Sequence, residues 1–243
     1  MGSVISKSSL TTINTSTSPL LPITVQPAPN LPITVKPGGV QGFSAGELLD
    51  LEGKTIELRS LTPADYEAYK AAIERNADRL APATGSMDAV MSIIQSAEAF
   101  EAVWQLSEQA RLFGTDFSFG VFEGDELIGE VGLNAVRRGP FESAFLSAWI
   151  DKAHVGQSKV EEAFVLLCRF GFETLGLNRI ECAVLPENDA VQHALKKVGV
   201  ESEGVAREYL MSDGEFKDHR RYVITASDWK DRGAHLLSEW AGL

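Results

Sequence analysis

The chain of 243 residues has only two cysteines, Cys168 and Cys182, too few for a disulfide framework. Both stand in apolar surroundings, Leu166-Leu167-Cys168 and Cys182-Ala183-Val184, the setting of buried reduced thiols, so a cytoplasmic protein is expected. Basic residues are also short: 22 Lys and Arg against 34 Asp and Glu leave a net charge of −12. That balance argues against a general nucleic-acid binder, whose affinity rests on cations neutralising phosphates. It favours a surface field that draws cationic small molecules or peptide amines. Long apolar runs are missing, none approaching the ~18 residues of a membrane helix, so no transmembrane segment is expected. Residues 1–20 are rich in Ser and Thr and lack the apolar centre of a secretory signal. The four histidines, His154, His193, His219 and His235, lack metal-ligand spacing, so no metal is expected. What remains is ordinary globular composition, 44% hydrophobic and 23% charged, with length enough to bury a core.

Residues 1–53 read as a flexible Pro/Ser/Thr-rich tail. Six of the ten prolines fall at positions 19–37, and Leu21-Pro22-Ile23-Thr24-Val25-Gln26-Pro27 is echoed by Leu31-Pro32-Ile33-Thr34-Val35-Lys36-Pro37. Two copies make no solenoid, and proline at this density favours extended, solvated chain. Met1-Gly2-Ser3-Val4-Ile5-Ser6 fits the pattern for myristate on Gly2 and equally a plain start of small residues. Glycines 38, 39, 42 and 46 mark the passage into the domain, which is expected over 54–230, with 231–243 as a C-terminal extension.

Within the domain, apolar periodicity predicts the elements in turn. Ile56, Leu58 and Leu61 mark a short strand, and Thr62-Pro63-Ala64-Asp65 starts a helix. Val90, Ile93, Ile94, Ala97, Phe100 and Trp104 recur at the spacing of a second helix. Phe117, Phe119 and Val121 alternate as a strand, and Glu123-Gly124-Asp125-Glu126 turns into another through Val131 and Leu133. A third apolar strand covers 145–150. From Gly156 a helix begins with Val160, Ala163, Phe164 and Leu167 on one face, stopped by Gly176. Ile180 to Leu185 form a strand, Asn188 caps the next helix, and Asp213-Gly214 joins two long strands, 203–212 and 215–226. The order β-α-α-β-β-β-α-β-α-β-β predicts an α+β fold, a mixed sheet with helices on its faces.

The strand 145–150, a Gly-bearing turn and the start of a long helix together have a chemical reading. The first N–H groups of a helix lack internal partners and carry partial positive charge, which suits a diphosphate. Gly156 lets the backbone approach such a group, and Lys159 adds a full charge in the first turn. A plain strand-to-helix turn is the alternative on this local pattern.

The run Trp149-Ile150-Asp151-Lys152-Ala153-His154-Val155-Gly156-Gln157 continues with Leu167-Cys168-Arg169-Phe170, Leu175-Gly176-Leu177-Asn178-Arg179-Ile180-Glu181, Leu185-Pro186-Glu187-Asn188, Lys197-Val198-Gly199, Glu203-Gly204, Arg207-Glu208-Tyr209 and Asp218-His219. In this order it resembles the GNAT superfamily of N-acetyltransferases, more narrowly the RimJ/RimL branch, over roughly residues 54–228. The resemblance implies a sheet splayed between strands 145–150 and 180–185, with acetyl-CoA in the gap. Backbone groups near Trp149 and Ile150 would hold the pantetheine arm and polarise the thioester. The amides of Val155, Gly156, Gln157, Ser158 and Lys159 would hold the pyrophosphate, and Asn188 would contact the CoA arm. The acceptor would be an amine-bearing peptide or small molecule, and a homodimer is compatible with the sequence.

Three positions depart from the family pattern. Ser158 replaces a second Gly or Ala, which crowds the diphosphate, costs ~1 kcal/mol at positive φ, or adds a hydrogen bond. Val191 stands where a Ser often protonates the departing thiolate, and Asn134-Ala135-Val136-Arg137 carries no basic Glu. Glu142 acting through water is one candidate base and Tyr209 one candidate acid; a surface carboxylate and a hairpin packing residue are their alternatives. An α-amine is ~10–15% neutral at pH 7 and a lysine well under 1%, so a weakly equipped site still suits low-pKa amines. The same departures suit a catalytically silent fold that binds CoA or a partner protein. The acceptor is not named by the sequence, because loops 80–115 and 136–144 carry no recognisable code.

Overall fold

A computed structural model describes residues 49–83, 87–212 and 214–243. The duplicated proline segment, the Gly2 pattern, the glycines before residue 49 and Asp213 of the hairpin lie outside the described residues. The strands are β1 (Asp50–Glu52), β2 (Glu57–Arg59), β3 (Phe117–Glu123), β4 (Glu126–Arg137), β5 (Ser143–Ile150), β6 (Arg179–Val184), β7 (Glu201–Ser212) and β8 (Glu215–Thr225). The helices are α1 (Tyr66–Ala83), α2 (Met87–Ile93), α3 (Ala97–Phe113), α4 (Lys159–Arg169), α5 (Asp189–Lys197) and α6 (Ala226–Leu236). All eight strands form one sheet in the order β1-β2-β3-β4-β5-β6-β8-β7, antiparallel except for the parallel pair β5–β6.

Strand alternation sends side chains to two cores on opposite faces. Phe117, Phe119, Ile128, Val131 and Leu133 pack with α4, whose Ala163 to Cys168 are all buried. Phe122 and Leu127 face the other way and pack with Tyr69, Ile73, Ile94 and Phe100 of the α1–α3 side. Helix α4 is also tied by polar contacts: buried Glu162 accepts from the amides of Thr55 at 2.7 Å and Ile56 at 3.2 Å. Helices on both faces of one open mixed sheet are the expected α+β arrangement.

Three features go beyond the expected elements. Strand β1 lies within the stretch 1–53 and pairs with β2, Leu51 opposite Leu58. The periodic run 90–104 is two helices, broken where the Ser96 side chain accepts from the Ala99 amide at 3.2 Å and caps α3. After β8, Thr225 and Asp228 form a capping box that opens α6. That helix buries Trp229, whose Nε1 donates to Glu173 at 3.0 Å. Cys168 and Cys182 are unbridged and buried. No helix among the described residues is long and apolar enough to cross a membrane.

Candidate active site

Strands β5 and β6 pair over three positions only, Ser143 with Arg179, Ala144 with Ile180 and Phe145 with Glu181. Beyond them the strands part. Leu146 to Ile150 continue on β4, ending with Ile150 opposite Gly129, while Cys182 to Val184 continue on β8. Among the described residues the facing edges have no partner strand, an arrangement that an extended ligand can complete. Between them lies a cleft of about 830 Å³, in the size range of small-molecule sites. Its walls include Trp149 and Ile150 from β5 and Cys182 and Val184 from β6. At the apex, buried Glu181 is ion-paired with Arg137 at 2.7 Å, Arg179 at 3.1 Å and Arg221, so β4, β6 and β8 are fastened where the gap begins.

The other end of the gap is the turn into α4. Asp151, fully buried, accepts from the Ala153 amide at 3.0 Å and from Arg75 at 2.6 Å. Although burial opposes its ionisation, these donors hold its carboxyl below the usual range. Gly156 has φ 84°, a left-handed conformation that glycine adopts without strain, and with Val155 it lines the cleft. Ser158 is also left-handed, at φ 62°, and its hydroxyl makes no cap bond to α4. Among the described residues the amides of Val155, Gly156 and Ser158 donate to no backbone carbonyl, while Gln157 reaches the His154 carbonyl at 3.4 Å. The amide of Lys159 begins the helix and is free of intrahelical bonding. Its side chain is not in the cleft: Nζ is buried against Glu123 at 2.6 Å and Thr55 at 2.9 Å. Lys159 thus contributes an amide and the helix start, with its charge directed to the β3–β4 turn.

Asn188 lines the cleft as the cap of α5, its Oδ1 accepting from the Val191 amide at 3.3 Å. Val191 lines the cleft and has no proton to give. The two expected acid–base residues are placed elsewhere. Glu142 has φ 39° in the turn before β5, its carboxyl on Arg138 at 3.1 Å and the Gly139 amide at 3.0 Å. Tyr209 packs in the β7–β8 hairpin with the Arg221 guanidinium 5.4 Å over its ring and His219 at its edge. Burial pushes its hydroxyl above the usual range. Neither side chain is among those lining the cleft.

A carboxylate that sequence reading passed over is in the wall instead. Glu130 of β4 stands opposite Trp149 of β5 and is 9% exposed. The Tyr69 hydroxyl of α1 donates to it at 3.1 Å, and no lysine or arginine pairs with it among the described residues. Burial pushes its carboxyl up to about 7, against the lowering effect of Tyr69 and the Trp149 indole. The signal for it was a lone acid inside Leu127-Ile128-Gly129-Glu130-Val131, a strand covered on both faces.

Comparison with known proteins decides the family. The Acetyltransferase (GNAT) domain profile matches residues 55–201. The chain belongs to the GNAT acetyltransferases. Among curated proteins it is 32% identical over 185 residues to the probable N-acetyltransferase YjcK of Bacillus subtilis, covering 73% of this chain and 98% of that one. It is 33% identical over 118 residues to the Escherichia coli [ribosomal protein uS5]-alanine N-acetyltransferase, 48% of this chain and 61% of that one. Mycobacterium smegmatis RimJ, solved in complex with CoA-disulfide, shares the fold with a TM-score of 0.70 at 24% identity, over 79% of this chain and 93% of that one. The resemblance to the RimJ/RimL branch therefore holds, and the GNAT chain is an N-acetyltransferase. Of the three departures, Val191 lines the gap and Ser158 lies in the turn that enters α4, whereas Arg137 serves the ion-pair cluster at the apex.

Proposed function

We propose that this GNAT chain transfers acetyl from acetyl-CoA to an amine of a peptide N-terminus or small molecule by direct attack on the thioester. The single observation that carries this reading is the parting of β5 and β6 after Phe145, beside a helix start with unengaged amides. The pantetheine arm would complete the β5 edge with its amide groups, and the turn 155–159 would receive the diphosphate. An unpaired N–H of that edge near Trp149 and Ile150 would stabilise the oxyanion that forms at the thioester carbon. Positioning of the two reactants supplies most of what such a transfer needs, because thiolate is already a good leaving group. Asn188 would keep its amide donor for the CoA arm while its Oδ1 caps α5.

The net charge of −12 favours a cationic acceptor. The relative that acetylates the alanine of ribosomal protein uS5 supports a protein N-terminus as acceptor class. A silent, CoA-binding fold would bind without turnover, and the buried Glu130 beside Trp149, with no cation on it among the described residues, weighs against that reading. Thiol release from acetyl-CoA, followed over a panel of peptide and small-molecule amines alongside calorimetric binding of CoA, tests the proposal. Turnover with at least one amine is the expected result. Failure to bind CoA would remove the reading, and binding with no turnover on any amine would convert it to the silent fold.

A further inference from the structure

Glu130 lies where two cavities meet. One is the large cleft between β5 and β6. The other, about 60 Å³ and partly open, lies between α1, α3 and the sheet, with Tyr69, Phe100, Trp104, Glu108 and Arg111 in its walls. Ser118 and Glu130 line both. A reagent held along β5 and a second reagent entering from the α1–α3 side would therefore meet at this carboxyl. The register fixes it there, because Glu130 is the cross-strand partner of Trp149 and shares its face of the sheet.

We propose that Glu130 is the catalytic base of this chain, pairing with the acceptor's ammonium and taking its proton, and that Tyr69 is the residue that positions it. The proposal rests on the acetyl-transfer reading above. The acceptor enters as R–NH3⁺ and gives one proton to the Glu130 carboxylate. The neutral nitrogen attacks the thioester carbon, forming the C–N bond, and collapse of the adduct breaks the C–S bond. The second nitrogen proton goes to the departing thiolate, giving the CoA thiol. Glu130 then releases its proton to solvent, leaving amide, thiol and one proton from ammonium and thioester.

The surroundings suit that cycle. A base works best when its affinity for the proton matches the working pH, and burial has brought this carboxyl to about 7. Tyr69 donates to it and is itself pushed well above its usual range by burial, so it stays a donor throughout. Other charged or titratable groups in the walls of the two cavities are Glu108 and Arg111 of α3, Arg79 of α1, Glu161 of α4, Asp189, His193 and Lys197 of α5, and His219 of β8, with Glu161 ion-paired to Lys197 at 2.9 Å. Arg111 is ion-paired with Glu108 at 2.5 Å, and Arg79 reaches the Ile150 carbonyl at 3.5 Å. None of them is within ion-pair distance of Glu130, so the acceptor's own cation can fill that role.

The test compares wild type with Glu130→Gln on two acceptors, an alkylamine that is protonated at pH 7 and a hydrazide that is already neutral. Expected is a loss in kcat/KM of about 10²–10⁴-fold on the alkylamine and under tenfold on the hydrazide. CoA affinity by calorimetry should stay within about twofold, which also reports that the variant folds. Equal losses on both acceptors, or none on either, would overturn the assignment while leaving acetyl transfer standing. A wild-type protein that acetylates no amine would overturn both. Independently of turnover, a ¹³C-labelled glutamate carboxyl should titrate near pH 7 in wild type and vanish in Glu130→Gln; titration below pH 5 would refute the proposal. Tyr69→Phe removes a bond to the charged form, so the acidic limb of kcat/KM should move to higher pH. A limb unchanged in Tyr69→Phe would reject the positioning role.

Discussion

Ser158→Gly is a sharp test of how the turn before α4 is built. Ser158 sits at φ 62° and ψ 11°, where an L-residue carries a steric cost of roughly 1–2 kcal/mol that glycine avoids. Glycine in turn gives the unfolded chain more freedom, worth about 0.4–1 kcal/mol against the fold. The hydroxyl makes no bond to the first turn of the helix, so its removal breaks no cap. The difference is a net stabilisation of about 0.5–1 kcal/mol. Urea unfolding should show a higher midpoint at unchanged slope, and thermal unfolding a rise of roughly 1–4 °C. The same variant separates two readings of the serine toward the diphosphate. If the hydroxyl is in the way, calorimetric CoA affinity holds or improves. If it donates to phosphate, affinity falls tenfold or more, as loss of a charge-assisted hydrogen bond requires. A lower urea midpoint would refute the backbone argument, and a tenfold affinity loss would refute the view that the side chain is dispensable.

Other expectations follow from named contacts. Glu130 gains a proton more readily when folded, so its contribution to stability is full below about pH 4.5 and is lost as pH rises through about 7. At 1.36 kcal/mol per pH unit the span amounts to at most roughly 3 kcal/mol, and Glu130→Gln should flatten it, gaining most near pH 8 in urea titrations; equal effects at pH 4.5 and pH 8 would contradict this. Glu181→Gln withdraws the one carboxylate shared by Arg137, Arg179 and Arg221, and should cost about 2 kcal/mol by the same assay; a change within 0.5 kcal/mol would show the cluster to be energetically idle. Glu142→Gln and Tyr209→Phe alter side chains outside the cleft walls, so kcat should stay within about threefold; a loss of a hundredfold in either would restore it to the chemistry.

Local signals carried much of the fold. The alternation of Phe117, Phe119 and Val121, the cap at Asn188 and the glycine at 176 are each decided within a few residues, and the structure has them as strand, N-cap and left-handed stop. The break at Ser96 is hidden in the sequence because apolar spacing runs on through Ile93, Ile94 and Ala97 as if one helix continued. At the site, the strand–turn–helix geometry was legible because glycine conformation and helix starts are local matters. Two long-range facts were not. The charge of Lys159 stands in sequence where a phosphate would use it, but Glu123, 36 residues earlier, takes it up. Glu130 carries no local mark of its setting, which is made when α1 and α3 pack over that face and leave it among Tyr69 and Trp149.

The missing ladder between Leu146–Ile150 and Cys182–Val184 has a consequence for the folded state itself. A protein that carries an interrupted seam through its sheet is mechanically unfinished until something lies in it. Any donor that fills the seam binds the native chain and not the unfolded one, which at a hundred times its dissociation constant adds about 2.7 kcal/mol to the unfolding free energy. Amide exchange along both lips should slow when CoA is added, so the enzyme's durability would track the availability of its own co-substrate.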